Sequence, residues 1–156
     1  FCLSRGLGDV YKRQDTLKLF DLVLADSAWS ESTFAKAQAD VDGDIQTPSA
    51  ELNAEIEAAA ARVNKPLTKA RIHSSDVFYH EDNVDGHREF FEKHGCVCVE
   101  MESFALFHNA KILNKRAACL LTISDSLVTH AETTAQERQT SFHDMMLVAL
   151  ETAVAL

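Results

Sequence analysis

The fold is decided by residues 96–125, which read CVCVEMESFALFHNAKILNKRAACLLTISD. Residues 96–99 are an apolar run of strand length, and residues 102–113 have the composition of a helix. Residues 117–124 form a second and longer apolar run, the clearest buried strand of the sequence. Apolar strands that alternate with helices are typical of sheets covered on both faces. The stretch therefore predicts a strand–helix–strand unit of an α/β protein.

The same alternation extends along the chain, with four strands and four helices in turn. The expected strands cover residues 17–25, 67–73, 96–99 and 117–124. The expected helices begin at an N-cap Ser49, cover residues 87–94 and 102–113, and begin again at the capping box of Thr134 and Glu137. We therefore expect an α/β fold, a three-layer αβα sandwich with a central mixed or mostly parallel sheet.

Composition places the chain among compact globular proteins. Of its 156 residues, 46% are hydrophobic and 25% are charged, and no apolar run is long enough to predict a membrane span. The net charge of −9 comes without a basic stripe, which argues against nucleic acid as the main partner. Neither a disulfide spacing nor a secretory signal is visible, so we expect a cytoplasmic protein.

Residues 1–14 (FCLSRGLGDVYKRQ) differ from the rest of the sequence. They are basic on balance and show no hydrophobic period. A Gly-x-Gly pair at Gly6 and Gly8 would need a strand before it and a helix after it to suggest a phosphate loop, and the sequence predicts neither. We interpret the segment as an unrelated leader, either foreign or disordered, and assign the domain to residues 15–156.

Two acidic residues stand where a predicted strand passes into a helix, in the run Val99-Glu100-Met101-Glu102. Because the strand passes into a helix between them, we expect the two carboxylates to point in different directions, so only one of them can serve a given ligand group. One carboxylate could accept hydrogen bonds from paired sugar hydroxyls, beside the apolar surface of Met101. The structural alternative is an acidic first turn favoured by the helix dipole.

A second candidate site follows the most hydrophobic of the expected strands, at Ser124-Asp125. A carboxyl group at the edge of a sheet, half removed from water, can act as a general acid. Arg138 lies one turn into the following helix and could reach back toward Asp125, although an arginine also tends to keep an aspartate ionised. The alternative is an aspartate that caps the loop.

The aromatic pair Phe78-Tyr79 lies in a polar loop, where a ring can stack on a planar base or simply pin the loop to the core. Seven histidines and four cysteines raise the question of a metal site. The Cys-x-Cys of residues 96–98 lies in an apolar run, where cysteines are typical small core residues. We therefore expect no metal.

Together these motifs resemble a known family. The run from residue 96 to residue 153, with Val-Glu-Met-Glu, Ser-Asp and the Thr129-His130 to Arg138-Gln139-Thr140 segment, is similar to the carboxyl-terminal part of bacterial DeoD-type purine nucleoside phosphorylases. Residues 75–79 (SDVFY) resemble the base-site loop of that family. The resemblance covers about residues 17–156.

The resemblance implies reversible phosphorolysis of purine (2′-deoxy)ribonucleosides in purine salvage, with phosphate as co-substrate and without a cofactor or metal. It also implies a homo-oligomer, a hexamer in the family. The implied roles are catalysis by Asp125 with Arg138 at purine N7, packing of Phe78 on the base, an apolar wall of Val99 and Met101, ribose binding by Glu102 beside Glu100, and a base-site position for Ser124.

One part of the family pattern is missing from the sequence. The glycine-rich turn and the arginines that hold phosphate should precede Leu17, where residues 1–14 match nothing. We therefore expect a domain truncated at its amino terminus, poorly folded and inactive on its own, with exposed sheet edges. The alternatives are a nucleosidase of the same superfamily, which uses water, and a non-catalytic remnant that binds purines. A uridine phosphorylase is disfavoured because no Gln-x-Arg element is seen.

Overall fold

A computed structural model describes residues 17–77, 91–126, 129, 131–134, 136, 137 and 142–156, together with the backbone of residues 6–10. The strands are β1 (Gly6–Val10), β2 (Leu22–Trp29), β3 (Ile45–Gln46), β4 (Thr68–Ser74), β5 (Cys98–Glu100) and β6 (Leu120–Ser126). The helices are α1 (Phe34–Ala39), α2 (Ala50–Arg62), α3 (Ser103–Ile112) and α4 (His143–Ala155).

The strands form one mixed sheet in the order β3-β2-β4-β5-β1-β6. The pairs β2–β4, β4–β5 and β1–β6 are parallel, whereas β1–β5, β2–β3 and β2–β6 are antiparallel. The β2–β6 pairing sets Leu22 opposite Thr122 and Leu24 opposite Leu120, so the last strand of the order also pairs with the second. Strand β2 therefore contacts three other strands and lies at the centre of the fold.

Alternate residues of β2 supply two separate cores, one on each face of the sheet. Leu22 and Leu24 pack with apolar residues of α2 and α4. Val23 and Ala25 pack on the other face with Phe104 of α3 and with residues of α1 and β6. This alternation follows from the two-residue period of a strand. It produces the three layers, helix–sheet–helix, that the sequence predicts.

A bulge interrupts β2 after Ala25. The register with β4 shifts between Ala25 and Ser27, and Asp26 is exposed. Asn53 of α2 donates its side-chain amide to the carbonyl oxygen of Ala25 at 2.8 Å. The buried Asn53 therefore satisfies the carbonyl that the irregular ladder leaves available and ties α2 to the sheet.

Several predicted helix ends are confirmed. The hydroxyl of Ser49 accepts the backbone N–H of Leu52 at 3.2 Å, as an N-cap should. Asn64, just beyond α2, has a φ of 54° and ends that helix ahead of Pro66. Gly95 follows the helical residues 91–94 with a φ of 71° and donates its N–H to the carbonyl of Phe91.

The first predicted strand was wrong at its beginning, because β2 starts at Leu22 rather than at residue 17. Lys18 donates its N–H to the Asp21 carboxylate at 2.8 Å, and Phe20 has a φ of 73°. This tight turn removes residues 17–21 from the ladder although their side chains are largely apolar. The strand instead continues through Ser27 to Trp29, which the sequence pattern assigned to a polar excursion.

The last helix was also predicted with the wrong beginning. Thr134 and Glu137 do form the capping box, since Thr134 donates its N–H to the Glu137 carboxylate at 2.8 Å and its hydroxyl accepts the Glu137 N–H at 3.2 Å. However, α4 begins anew at His143, after an N-cap at Phe142. Within α4, Met145 and Ala149 are buried as predicted, whereas Met146 and Leu150 are exposed.

The segment interpreted as a leader contributes to the sheet. Residues 6–10 form β1, parallel to β6 and antiparallel to β5. We expected no strand in this segment and placed it outside the domain. For these five residues the expectation of no strand is wrong. Backbone hydrogen bonding to two neighbours places them there, and such pairing needs no hydrophobic period in the sequence. The proposal that residues 1–14 are foreign to the domain stays a prediction.

In the part of the chain that the structure describes, no helix is both long and apolar enough to cross a membrane.

Candidate active site

The turn between β5 and α3 separates the two glutamates that the sequence places side by side. Glu100 is buried, and its carboxylate accepts the backbone N–H of Glu102 at 2.8 Å and that of Ser103 at 2.9 Å. The hydroxyls of Ser103 and Ser74 also donate to it. Glu102 is exposed, and its carboxylate has no partner among the described residues. The expected divergence of the two carboxylates is confirmed.

Glu100 therefore caps α3 from inside the protein. Burial raises the pKa of Glu100 above its ordinary value of 4.5, and the hydrogen bonds from Ser103, Glu102 and Ser74 oppose that effect without cancelling it. The side chain of Ser74 serves the same helix end, because its hydroxyl accepts the N–H of Phe104 at 3.2 Å. Three of the N–H groups that open α3 are thus satisfied by two side chains of neighbouring strands.

Glu100 is buried as the cap of α3, whereas Met101 and Glu102 lie at the surface of the turn. Met101 is 40% exposed and lies between Glu100 and Glu102 in the sequence. Val99 points elsewhere and is half-buried against Trp29 and Cys96. The turn therefore presents one apolar and one anionic side chain together, while Val99 contributes to the packing beneath.

The end of β6 carries the second predicted site. Ser124 is buried, and its hydroxyl donates to the Asp125 carboxylate at 2.6 Å. The backbone of residues 131–133 runs back along this strand end. Ser126 donates its N–H to Ala131 at 2.8 Å, and Thr133 donates its N–H to Ser124 at 3.1 Å. Asp125 is thus half-buried on a rigid strand end, with its carboxylate held by Ser124.

The sheet brings these two sites to one region. Val99 of β5 and Asp125 of β6 face the same residue, Asp9, from the two sides of β1. Two strand spacings of about 4.8 Å therefore separate them, roughly 10 Å between backbones. Strands β5 and β6 run in opposite directions, because β1 is antiparallel to β5 and parallel to β6, so Met101 and Glu102 continue from the opposite end of this level to Asp125.

Two of the predicted site residues, Phe78 and Arg138, lie outside the described residues, as does Tyr79. The residues leading to Phe78 are described. Strand β4 ends at Ser74, and Ser75 donates its N–H to the carbonyl of Glu100 at 2.8 Å. The chain that enters the predicted base loop is therefore fixed to the turn that carries Met101 and Glu102.

Sequence reasoning missed the residues that support the site. Ser74, Ser103 and Glu31 hold the predicted residues or the chain that enters the base loop, but none of them belongs to a recognisable motif. A serine after a strand and a glutamate in a polar stretch are common on any surface. Only the pairing of β2, β4 and β5, which sets Trp29 opposite His73 and His73 opposite Val99, brings them together.

A surface cavity of about 200 Å³ lies apart from these residues. It is lined at the start of α2 by residues 47–49 and on α3 by Phe107, Ala110 and Lys111, with Lys115 and Ala117 beyond. Lys111 is near the last turn of α3, about 12 Å along the helix from Ser103 at a rise of about 1.5 Å per residue. The cavity contains none of the predicted site residues.

Comparison with known sequences shows the family of the chain. The model of the phosphorylase superfamily matches residues 13–156. The chain belongs to the phosphorylase superfamily. Among curated relatives, a DeoD-type purine nucleoside phosphorylase of Mycoplasma pneumoniae is 38% identical over 152 residues, 96% of this chain and 63% of the relative. One of Dichelobacter nodosus is 36% identical over 142 residues, 91% of this chain and 59% of the relative. The chain thus spans about three fifths of these relatives, and its predicted resemblance to the DeoD type is confirmed.

Solved structures show the same fold. A purine nucleoside phosphorylase of Toxoplasma gondii, in complex with immucillin-H, has a TM-score of 0.82 at 14% identity, and the match covers 98% of this chain and 62% of that chain. A futalosine hydrolase mutant of Helicobacter pylori has a TM-score of 0.78 at 18% identity, with coverage of 99% and 68%. The predicted fold class is confirmed, and the mixed sheet between helices is that of this superfamily.

Proposed function

We propose that this chain supplies the base- and sugar-binding part of an enzyme that carries out reversible phosphorolysis of purine (2′-deoxy)ribonucleosides in the cytoplasm. The observation that supports it most is the turn after β5. Glu100 is fully engaged as a helix cap, which leaves Glu102 exposed and without a partner in the described part of the chain, next to Met101. A carboxylate of this kind can accept hydrogen bonds from both hydroxyls of a ribose.

In the proposed reaction, a phosphate oxygen forms a bond to the anomeric carbon as the bond from that carbon to purine N9 breaks. The electron pair of the broken bond stays with the purine, so the leaving base needs a proton. Asp125, held by Ser124, delivers that proton to N7 with help from Arg138. Glu102 holds the sugar hydroxyls while positive charge develops on the ring. Met101 and Phe78 pack against the base.

Phosphate itself is bound by residues that the family carries ahead of the part matched by Leu17 onward. We therefore propose that the chain by itself binds a purine but does not turn a nucleoside over. We also propose that the complete site forms in a homo-oligomer, a hexamer as in the family. No cofactor or metal takes part in this proposal.

The test measures binding of hypoxanthine by calorimetry and cleavage of inosine with and without phosphate. We expect hypoxanthine to bind and Asp125→Asn to weaken it, with Asp42→Asn on the exposed loop after α1 as the matched control. In a form of the enzyme that also contains the phosphate-binding residues, Asp125→Asn should lower turnover by about 10²–10⁴-fold, the usual contribution of a general acid.

The outcomes separate the alternatives. Turnover that needs phosphate supports the phosphorylase reaction but contradicts the proposed inactivity of this chain by itself. Turnover that proceeds equally without phosphate would instead identify a nucleosidase. Purine binding that Asp125→Asn leaves unchanged contradicts the proposed site. Absence of both binding and turnover in a folded chain contradicts the proposed function.

A further inference from the structure

Glu31, just beyond β2, joins two neighbouring strand ends through both oxygens of its carboxylate. One oxygen lies 2.6 Å from Nε2 of His73. The other accepts the hydroxyl of Ser75 and the backbone N–H of Asp76, each at 3.0 Å. The His73 side chain is fully buried and comes from β4, and Ser75 and Asp76 are the first two residues after that strand. One side chain thus holds three residues, His73, Ser75 and Asp76, where β4 becomes a loop.

The surroundings keep this carboxylate ionised and its partners in place. Burial works to raise the pKa of Glu31, but the hydrogen bonds from His73 and from the backbone N–H groups of Glu31 and Asp76 outweigh it and lower the pKa to about 2. The ring of His73 rests on Trp29 at 5.0 Å between centroids. Trp29 in turn stacks on His94 at 3.9 Å and donates its indole N–H to Asp44 at 2.8 Å.

The order of contacts argues for support and against direct catalysis. In a catalytic triad the histidine stands between the acid and the nucleophile. Here the carboxylate stands between His73 and Ser75, and the Ser75 hydroxyl also lies 2.7 Å from the carbonyl oxygen of Val77. Val77 returns its N–H to that hydroxyl at 3.2 Å. The arrangement closes residues 75–77 into a compact turn.

This turn is also bound to the turn that carries Glu102. Ser75 donates its N–H to the carbonyl of Glu100, and the preceding residue, Ser74, donates its hydroxyl to the Glu100 carboxylate. Residues 74–76 are therefore clamped between two carboxylates, Glu100 on the side of α3 and Glu31 on the side of β2. The next residues in the sequence, beginning at Phe78, are those to which we assign the base.

We propose that Glu31 is a positioning residue of the purine site, which sets the start of the base loop relative to the turn of Met101 and Glu102. This inference rests on the proposed function, because it assigns Glu31 to the same site. The role depends on where the oxygens lie, and the negative charge strengthens their contacts. A glutamine in this place keeps one oxygen for Ser75 and Asp76 and replaces the oxygen that faces His73 by an amide nitrogen.

The experiment compares wild type, Glu31→Ala, Glu31→Gln and, as a matched control, Glu51→Gln at an exposed position of α2. Hypoxanthine affinity is measured by calorimetry, and exchange of the Asp76 backbone amide is followed in the absence of ligand. We expect Glu31→Ala to weaken hypoxanthine about tenfold, which corresponds to about 1.4 kcal/mol. The same variant should speed exchange at Asp76. Glu31→Gln, which keeps one oxygen, should fall between Glu31→Ala and wild type in both measurements, whereas Glu51→Gln should stay within about twofold of wild type.

The results distinguish the two levels of the inference. If wild type binds hypoxanthine and Glu31→Ala binds it equally well, the positioning role is wrong while the proposed function stands. If folded wild type does not bind hypoxanthine, the proposed function is wrong and this inference falls with it. A purely structural role would lower the melting temperature without changing the affinity of the folded protein, and that result also overturns the proposal. Should Glu31→Ala not fold, Ser75→Ala removes one partner of the carboxylate and must weaken hypoxanthine for the proposal to hold.

Discussion

Replacement of Glu100 by alanine tests the internal cap of α3. The change removes the acceptor of two backbone N–H groups. That of Ser103 is at a fully buried residue, whereas that of Glu102 is at an exposed residue, where water can replace the carboxylate. An orphaned buried donor costs about 1–3 kcal/mol, and loss of a helix cap costs about 1 kcal/mol. Relief of the buried charge offsets part of this. We therefore expect a loss of about 2–3 kcal/mol in the free energy of unfolding.

The assay is urea unfolding at pH 7, followed by far-ultraviolet circular dichroism. A loss of this size lowers the melting temperature by about 4–12 °C in a chain of this length. The matched control is Glu102→Ala, which removes the exposed carboxylate of the same turn and should stay within about 0.5 kcal/mol of wild type. Equal effects of the two substitutions would refute the assignment of the cap to Glu100.

The pH dependence of the same variants adds a second measurement. Because the pKa of Glu100 is raised in the folded protein, this group favours folding at low pH and loses that contribution as the pH rises through its folded value. Glu100→Gln keeps an acceptor for the backbone N–H groups and cannot titrate. We expect its stability, relative to wild type, to improve as the pH rises. A difference that is constant from pH 4 to pH 8 would contradict the raised pKa.

Three further predictions concern the fold. The pKa of Glu31 is lowered to about 2, so the ionised side chain stabilises the folded wild type above its ordinary pKa of 4.5 and loses that contribution as the pH falls toward 2. In acid titrations, Glu31→Gln should lack the loss of stability between pH 4.5 and pH 2 that this side chain causes. Ser49→Ala should cost about 1 kcal/mol in urea unfolding and Ser49→Gly only a few tenths, because glycine tolerates the cap conformation; equal losses would argue against the cap. Asn53→Ala should cost about 1–2 kcal/mol by leaving the Ala25 carbonyl at the bulge without its donor, whereas Asn64→Ala tests only the end of α2 and serves as comparison.

Much of the fold is readable from short-range patterns. The cap at Ser49, the glycine at residue 95 and the capping box at Thr134 each depend on neighbours within three or four residues, and each is confirmed. The limits of β2 are not readable in this way. Apolar side chains at residues 17–20 look like strand, but the turn held by Lys18 and Asp21 excludes them, and only long-range pairing with β4 extends the strand to Trp29.

The candidate site shows the same contrast. That Glu100 and Glu102 diverge could be predicted from the passage of a strand into a helix, since a regular strand would place both side chains on one face. Which of the two faces inward could not, because the choice depends on hydroxyls from Ser74 and Ser103 that converge on one point only after β4 and β5 pair. Glu31 lies more than forty residues from its partners in the chain, so no local pattern announces it.

Ser74 and Ser75 are adjacent in the chain, yet their hydroxyls contact different carboxylates. Ser74 contacts Glu100 on the side of α3, and Ser75 contacts Glu31 on the side of β2. Because the two serines are adjacent, both contacts depend on the number of residues in β4. Deleting or inserting one residue in that strand would move both serines away from their carboxylates at once, because side chains alternate between the two faces of a strand. A change in length after Val77 would leave both contacts in place. Across the superfamily, we therefore expect length variation to accumulate in the loop and to be absent from β4, and the pairs Ser74–Glu100 and Ser75–Glu31 to change together when they change at all.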